Sequence, residues 1–444
     1  MHRRTFLSHL TLAAGGLLYG SRTSSAAESE APAKEAPAAP PAGKIVEPAR
    51  EVPIVARADV VVVGGGPAGV AAAIGASRAG ASVILVERYN HLGGLWTGGL
   101  VLPLLATHGS DRDKKRRQVL AGVGGEMAQR LAAMKMAIHE VDPVVDPEAA
   151  KYVMEAMVQE AGVRVLYHCW AAGVVAKEGA IEAVLLESKS GRVALVPKVV
   201  VDCTGDGDVL SWAGEAFETM RYHIGLVHRL GNVDRIDRAR PGYKKMPVGD
   251  PTPIRSVNWV NMHGEKDQDG LDLFTLSRLQ QKYRLEIWKQ AEKIRATPGY
   301  EEVFLLDTAP QLGVRASRIL DGQYRLTLDD SMTHKAFDDA IGVSGAWTSV
   351  LHGGQKLSAG ERPMWQIPYR SLVPKRTRNL LVAGRCFCFE KALVEDARVI
   401  GACLVTGHGA GVAAALAARS GSAVQAADIQ QVRKVLLEQK AYLG

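Results

Sequence analysis

The amino-acid sequence predicts an α/β protein whose main domain is assembled from two separated stretches of chain, with a second domain inserted between them. Short apolar runs, typical of strands buried on both faces of a sheet, occur at 60–63, at 199–201 and within 379–383. Each run leads into a glycine-containing turn. Residues from about 220 to 365 lack this pattern, and a chain of 444 residues is long enough for about two structural units.

The first apolar run meets a glycine-rich turn with the spacing G-x-G-x-x-G, which is typical of Rossmann-like dinucleotide-binding domains. The first glycine permits a tight turn, the second lets a pyrophosphate approach the backbone, and the third lets the next helix pack against the strand. A helix of small residues is predicted over 71–79, with its positive N-terminal end facing the phosphates. The positions predicted to contact the cofactor here are Gly64, Gly66, Pro67, Ala68 and Gly69.

A second strand is predicted over 82–86 and ends at Glu87, whose carboxylate is placed to accept hydrogen bonds from ribose hydroxyls. Strand, glycines, helix, second strand and terminal acid therefore follow one another in the order of a dinucleotide-binding unit. This order predicts a dinucleotide cofactor but does not separate FAD from NAD.

Three later segments favour FAD. They are 91–94 (HLGG), 199–208 (VVVDCTGDGD), and the strand at 379–383 that breaks at Gly384-Arg385 and is followed by 407–411 (GHGAG). Together with 312–318 and 367–374, these segments resemble the FAD-dependent oxidoreductase family, which includes the flavoprotein portion of heterodisulfide-reductase-like proteins. The resemblance covers most of residues 58–420. It does not imply a substrate, because that family is chemically broad.

The resemblance implies a glutathione-reductase-like fold that binds one FAD, with a β-meander crossover over 163–202. The additional cofactor-binding positions are Arg88, Gly93, Gly94, Thr204, Gly205, Asp206, Gly384, Arg385, Gly407, Gly409 and Gly411. The sequence departs from the family in three respects, one of which is Val350, two residues before His352, where relatives often carry aspartate. The iron–sulfur cysteine runs of the heterodisulfide-reductase-like proteins are absent, and His408 stands where relatives commonly carry glutamine.

Composition excludes several function classes. Three leader arginines account for part of the formal net charge of +7, so the remaining excess does not indicate a nucleic-acid partner. The five cysteines form no CxxC pair, so neither a zinc site nor an iron–sulfur cluster with the usual ligand spacing is expected. No stretch of the mature chain has the roughly 20 uninterrupted apolar residues of a membrane span.

The N-terminus resembles a twin-arginine export signal. Arg3 and Arg4 precede a Phe-Leu pair, an apolar run at 10–18 and a small-residue cleavage site at 25–27. Because that pathway carries folded proteins, it suits a protein loaded with its cofactor in the cytoplasm, and a periplasmic or otherwise exported location is expected. The predicted divisions are a signal peptide (1–27), an Ala/Pro-rich linker (28–57), an FAD-binding domain (58–219 and 365–420), a substrate-covering domain (220–364) and a C-terminal helix (421–444).

Five residues near the covering domain are candidate catalytic residues. Arg315 and Arg318 lie three apart, so on a helix they would share a face and clamp a carboxylate; the alternative is ion pairing with Asp329, Asp330, Asp338 or Asp339. Tyr369 and Arg370 precede the last strand of the FAD-binding domain and either line the active site or form interdomain hydrogen bonds. His352 is either a base or a structural donor.

His408 is the sixth candidate. The Ala-rich run 411–418 predicts a helix that begins in the flexible segment 407–411, and the resemblance directs this end at the pyrimidine side of the flavin. His408 would then add a titratable donor near the flavin. The alternative is that it points to solvent or fills a gap in the core.

These observations predict an exported FAD-dependent oxidoreductase that transfers hydride between a small-molecule substrate and the flavin. No second G-x-G-x-x-G follows a strand, so the electron acceptor is expected not to be a nicotinamide. The alternative is an electron-relay flavoprotein that works with a redox partner. The relay predicts an exposed patch near the flavin, whereas the enzyme predicts a closed pocket lined by residues 315–370.

Overall fold

A computed structural model describes residues 43–111, 113–345 and 362–444. The predicted signal peptide, residues 28–42 of the predicted linker and His352 lie outside the described residues. Residues 43–50 are exposed and contain no helix or strand, whereas 51–444 form one compact unit.

The strands of the described residues are, in chain order, β1 (Ile54–Val63), β2 (Val83–Val86), β3 (His108–Ser110), β4 (Arg116–Gln118), β5 (Ala137–Ile138), β6 (Val144–Val145), β7 (Arg164–Leu166), β8 (Trp170–Lys177), β9 (Ala180–Ser188), β10 (Gly191–Asp202), β11 (Phe217–Thr219), β12 (Tyr222–Gly225), β13 (His228–Gly231), β14 (Asp250–Pro251), β15 (Asn258–Val260), β16 (Glu265–Gln268), β17 (Phe304–Thr308), β18 (Gly313–Val314), β19 (Arg318–Leu320), β20 (Ala340–Gly345), β21 (Met364–Pro368) and β22 (Leu380–Val382).

The helices are α1 (Pro67–Arg78), α2 (Gly122–Ala133), α3 (Pro147–Glu160), α4 (Asp208–Trp212), α5 (Leu273–Arg295), α6 (Leu328–Met332), α7 (Val394–Ala397), α8 (Ile400–Ser420) and α9 (Ile429–Glu438). Short 3-10 turns occupy Val233–Arg235, Tyr369–Leu372, Lys391–Leu393 and Val424–Ala426.

A parallel sheet forms the centre of the fold. β1 lies between β2 and β10, β7 extends the sheet beyond β2, and β22 pairs with the end of β10, all in parallel. The four valines that end β1 are buried on both faces, which explains their continuous apolar pattern. The predicted α/β fold with a Rossmann-like sheet is confirmed.

An antiparallel meander continues the same sheet. β8 pairs with β9, and β9 pairs with the first half of β10, whose second half belongs to the parallel part. The turns between these strands lie at the Gly179 and Gly191 positions, both with positive φ. The predicted crossover over 163–202 thus has the expected meander form.

Smaller antiparallel sheets occupy the chain between α4 and β20. They have the strand orders β16-β12-β18, β14-β15-β13-β17 and β11-β19. The long helix α5 packs on them through Leu279, Tyr283 and Ile287. β18 and β19 leave residues 315–317 outside any helix, so the helical condition under which Arg315 and Arg318 would share a face is not met.

The helices α1 and α8 pack closely in parallel against the central sheet. α8 is long and apolar enough to cross a membrane, but 94% of its apolar window is buried within the protein, as in a core helix. α8 begins at Ile400 and runs through 407–411, so the prediction of a helix start in that glycine segment is wrong.

Candidate functional site

The glycine-rich turn between β1 and α1 is built by close backbone contacts. At Gly64, which has a φ of 101°, a Cβ atom would lie 2.4 Å from the carbonyl oxygen of Cys203. At Gly69 it would lie 1.7 Å from the carbonyl oxygen of Gly64. These two glycines are therefore required for β1 to turn directly into α1 beside β10.

Gly66 differs, because an added Cβ atom there would meet no protein atom in close contact. The nearest atom to an added Cβ is the Cα of Gly94, at 3.9 Å. Gly94 belongs to a second glycine turn, which is anchored by the Gly93 N–H donating to the Gly65 carbonyl at 2.8 Å. The N-cap residue of α1 is Gly66 itself, which has no side chain to cap the first turn. Two bare turns and an uncapped helix N-terminus thus form a backbone cradle suited to a pyrophosphate.

Glu87 lies beside this cradle at the end of β2. It is buried, and its carboxylate oxygens accept hydrogen bonds from the backbone N–H of Gly65 at 2.7 Å and of Tyr89 at 2.8 Å. The next residue, Arg88, is exposed and lies over the rings of Tyr89 and Trp170. The acid is therefore held in place, with a cation and two aromatic rings next to it.

Hydrogen bonds of the Arg385 side chain join the ends of two parallel strands, β10 and β22. Its guanidinium donates to the carbonyls of Gly205 and Val314, each at 2.6 Å, and to the carboxylate of Asp206. Asp206 also accepts from the Ser317 hydroxyl at 2.7 Å. Burial opposes ionisation of Asp206, but the Arg385 charge lowers its pKa overall. The predicted residues Gly205, Asp206 and Arg385 are therefore brought together.

Two neighbouring contacts complete this edge of the sheet. Thr204 donates from its N–H and its hydroxyl to Asp202, at 3.0 and 2.7 Å. Burial raises the pKa of Asp202 to about 6. The N–H of Gly384 donates to the Thr406 hydroxyl at 3.0 Å, which ties β22 to α8.

The last glycine segment packs α8 against its neighbours. A Cβ at Gly407 would lie 2.0 Å from the carbonyl oxygen of Ala68, and one at Gly411 would lie 2.1 Å from that of Ala72. Gly409 faces the Ile341 side chain. These glycines therefore allow α8 to pack closely against α1 and do not offer free N–H donors of a helix end. Gly407 of α8 lies beside Ala68 of α1, so the N-terminal end of α8 extends about 9 Å beyond the first residue of α1. The uncapped N-terminus of α8 at Val399 therefore lies farther along the same edge.

His408 lies in the interior of α8, away from that N-terminus. It is buried, its Nε2 lies 2.8 Å from the Gln439 Oε1 atom, and its ring contacts the Gly75 and Gly122 positions. Burial lowers its pKa to about 4. His408 therefore fills a place in the core, as the alternative prediction stated. The prediction that it lies at a free helix end is wrong.

Three other candidates have structural partners. Arg318 donates to the Asp206 carbonyl and pairs with Asp208, both at 3.0 Å, so it forms an ion pair with a different acid from those predicted. Tyr369 is buried and donates to the Val424 carbonyl at 2.8 Å. Arg370 pairs with Asp339 at 2.9 Å. These contacts match the hydrogen-bonding and ion-pair alternatives.

Arg315 belongs instead to a cluster of polar side chains that the chain brings together from four segments. We call this group the Arg315 cluster; its members are Tyr222, His223, His263, Arg315, Glu395 and Arg398. Arg315 donates to the His263 carbonyl at 3.4 Å, and both Tyr222 and Arg398 donate to Glu395. The His223 ring lies 4.4 Å from that of Tyr222 and 5.6 Å from that of His263.

The charges of the Arg315 cluster act strongly on one another. Burial and the nearby Arg398 charge lower the pKa of Arg315 to about 10. Burial and the Arg315 charge lower the pKa of His223 to about 4, so its ring is neutral at pH 7. Burial opposes ionisation of Glu395, but Arg398 and the Tyr222 hydroxyl lower its pKa overall.

The Arg315 cluster borders the cofactor edge of the fold at two points. Arg315 follows Val314, whose carbonyl binds Arg385, and Arg398 precedes the N-cap of α8. Sequence reasoning found Arg315 but missed the other five members. The position of Arg398 just before the last core helix is the one local signal that could have indicated its role.

The fold and the backbone cradle are those of a dinucleotide-binding protein. A family model described as FAD dependent oxidoreductase matches residues 59–436. The chain therefore belongs to this family, and its cofactor is FAD. The residues of the cradle fit this group, because Gly66 leaves room beside the backbone where a pyrophosphate can approach and the carboxylate of Glu87 is fixed next to it.

Similarity to individual proteins is partial. The chain is 32% identical over 156 residues to a thiamine thiazole synthase from Methanococcus aeolicus, which covers 33% of this chain and 54% of the relative. It is 59% identical over 44 residues to a thiamine thiazole synthase from Aeropyrum pernix, which covers 10% and 16%. The chain thus spans about half or less of these curated relatives.

A solved structure of a geranylgeranyl bacteriochlorophyll reductase-like protein from Thermoplasma acidophilum is similar in 87% of this chain and 84% of that one. The identity is 15% and the TM-score is 0.44.

Proposed function

We propose that this FAD-dependent oxidoreductase transfers hydride between a small-molecule substrate and the flavin, and exchanges electrons with an acceptor other than a nicotinamide. The observation that carries the proposal is the Arg315 cluster, a half-buried group of polar side chains beside the cofactor edge. An electron relay would need only an exposed flavin edge, whereas such a cluster suits a bound substrate.

His223 is the proton acceptor in this proposal. Bound FAD supplies the two-electron acceptor. The substrate loses a hydride from a C–H bond that carries a hydroxyl or amine, the O–H or N–H proton passes to a ring nitrogen of His223, and a C=O or C=N bond forms. This step requires a neutral imidazole, and His223 is neutral at pH 7, although its pKa of about 4 also makes the ring a weaker base than an exposed histidine.

The proposal includes a domain organisation and a wider relationship. The sheets between α4 and β20 form the substrate-covering domain of 220–364, inserted between the two parts of an FAD-binding domain. The predicted cofactor residues around Gly66, Glu87 and Arg385 hold the FAD. The order of the glycine segments supports a relationship to the flavoprotein portion of heterodisulfide-reductase-like proteins.

The test is anaerobic bleaching of the flavin. Purified mature protein should be yellow, release FAD on denaturation, and lose its flavin absorbance when one of a panel of small alcohols and amines is added without oxygen. Re-oxidation by oxygen or a quinone, but not by NAD(P)⁺, is expected. If only a reduced redox protein bleaches the flavin and the small-molecule panel does not, the relay function replaces the enzyme.

We also propose that the chain is exported through the twin-arginine pathway. Support comes from the order of Arg3-Arg4, apolar run and small-residue cleavage site. The double variant Arg3→Lys and Arg4→Lys is expected to remain in the cytoplasm with its flavin bound, as measured by cell fractionation and flavin fluorescence. Normal export of the double variant contradicts the proposal.

A further inference from the structure

We infer that the Arg315 cluster binds the carboxylate group of a monoanionic substrate through Arg315 and Arg398. This assignment rests on the proposed function and names the class of substrate that the site accepts. The two arginines come from different segments, one after β18 and the other between α7 and α8, and Glu395 lies with them.

Arg315 is available to a ligand. Its hydrogen bond to the protein is the long contact with the His263 carbonyl, and it forms no ion pair with the parts of the chain that the structure describes. Other half-buried arginines near the cofactor edge have a carboxylate partner: Arg318 has Asp208 and Arg385 has Asp206. A half-buried guanidinium without such a partner is costly unless an anion joins it.

Arg398 has a second, independent feature of a binding site. One of its terminal nitrogens binds Glu395, while its Nε atom is buried and has no hydrogen-bond partner among the described residues. A buried donor without a partner is rare in native proteins. A carboxylate presents two oxygens in one plane, which matches the donors of a guanidinium.

The charge of the cluster sets the charge of the ligand. Among the described residues of the cluster there are two arginines and one glutamate, and His223 is neutral, so one further negative charge balances these side chains. The nearby N-terminus of α8 adds a partial positive charge. A monoanion balances the site, whereas an amide of the same shape does not.

The test is isothermal titration of the FAD-loaded protein with acetate, lactate and benzoate, and with acetamide, lactamide and benzamide. At least one carboxylate is expected to bind tenfold or more tightly than its amide. Arg315→Gln is expected to remove this preference, and Arg315→Lys to restore part of it. Arg221→Gln, which removes the same charge from an exposed arginine on the neighbouring strand end, should preserve the preference. Visible absorbance of bound FAD checks that each variant is folded.

Several results would overturn the assignment: no binding by any of the three carboxylates, equal binding of each acid and its amide, or an unchanged preference in Arg315→Gln. Failure of the proposed function is recognised separately. Carboxylate binding that depends on Arg315, without bleaching by any small molecule, supports the anion site and removes the hydride-transfer proposal. Bleaching by uncharged substrates that Arg315→Gln leaves unchanged removes the anion site alone.

Discussion

Replacement of Gly66 by alanine is expected to lower the affinity for FAD about a hundredfold while leaving the apoprotein as stable as the wild type. An added Cβ would meet no protein atom closer than 3.9 Å, and the φ of −69° is one that alanine adopts freely. The methyl group would instead occupy the space through which a pyrophosphate approaches the backbone. The loss of one or two charge-assisted hydrogen bonds, at roughly 1.5–3 kcal/mol each, accounts for the expected effect.

The matched control is Gly69→Ala, which lies three residues further along the same segment. Its Cβ would lie 1.7 Å from the Gly64 carbonyl oxygen, so this variant should destabilise the apoprotein itself. Urea unfolding of both apoproteins, together with fluorescence titration of FAD, separates the two effects. Wild-type FAD affinity in Gly66→Ala, or equal destabilisation of both apoproteins, would contradict the roles given to these glycines.

The first dinucleotide-binding unit could be predicted from the sequence because its signals are local. The apolar run that ends β1, the glycine spacing and Glu87 lie within about 30 residues, and each acts mainly on its neighbours. The start of α3 was predictable for the same reason, since Asp146 caps it by accepting from the Ala149 N–H at 2.9 Å.

The start of α8 was not predictable in this way. Glycines favour turns over helices in isolation, so the segment 407–411 resembles a flexible helix start. In the protein, these glycines allow the backbone of α8 to approach Ala68 and Ala72 of α1, a contact between segments more than 300 residues apart. Tertiary packing therefore overrides local propensity here.

The Arg315 cluster illustrates the same limit for the candidate site. Tyr222 and Arg315 meet because β12 pairs with β18, and Glu395 reaches them from the segment before α8. The spacing of these residues in the sequence does not predict any of these contacts. Residue type suggested Arg315, but its partners depend on the pairing of distant strands.

His408 is expected to make the protein sensitive to acid, and His408→Gln should remove part of that sensitivity. The folded-state pKa of about 4 lies below the ordinary value of 6.5, so between these pH values the unfolded chain binds a proton that the folded protein does not. The free energy of unfolding therefore rises with pH across this window, and falls as pH drops from about 6.5 towards 4. One proton corresponds to about 1.4 kcal/mol per pH unit, or about 3 kcal/mol over the window.

A glutamine at position 408 can still donate a hydrogen bond to Gln439 but does not titrate, so His408→Gln should be folded and lose stability less steeply in acid. The measurement is the free energy of unfolding in urea at several pH values between 4.5 and 7, at one FAD concentration for both proteins. His223 and His228, whose pKa values are also lowered to about 4, contribute equally to both curves, so the difference isolates His408. His139→Gln, at an exposed position, should leave the slope unchanged. Parallel curves for the wild type and His408→Gln would show that the buried imidazole is protonated at little cost, which the enclosed position of His408 beside Gln439 argues against.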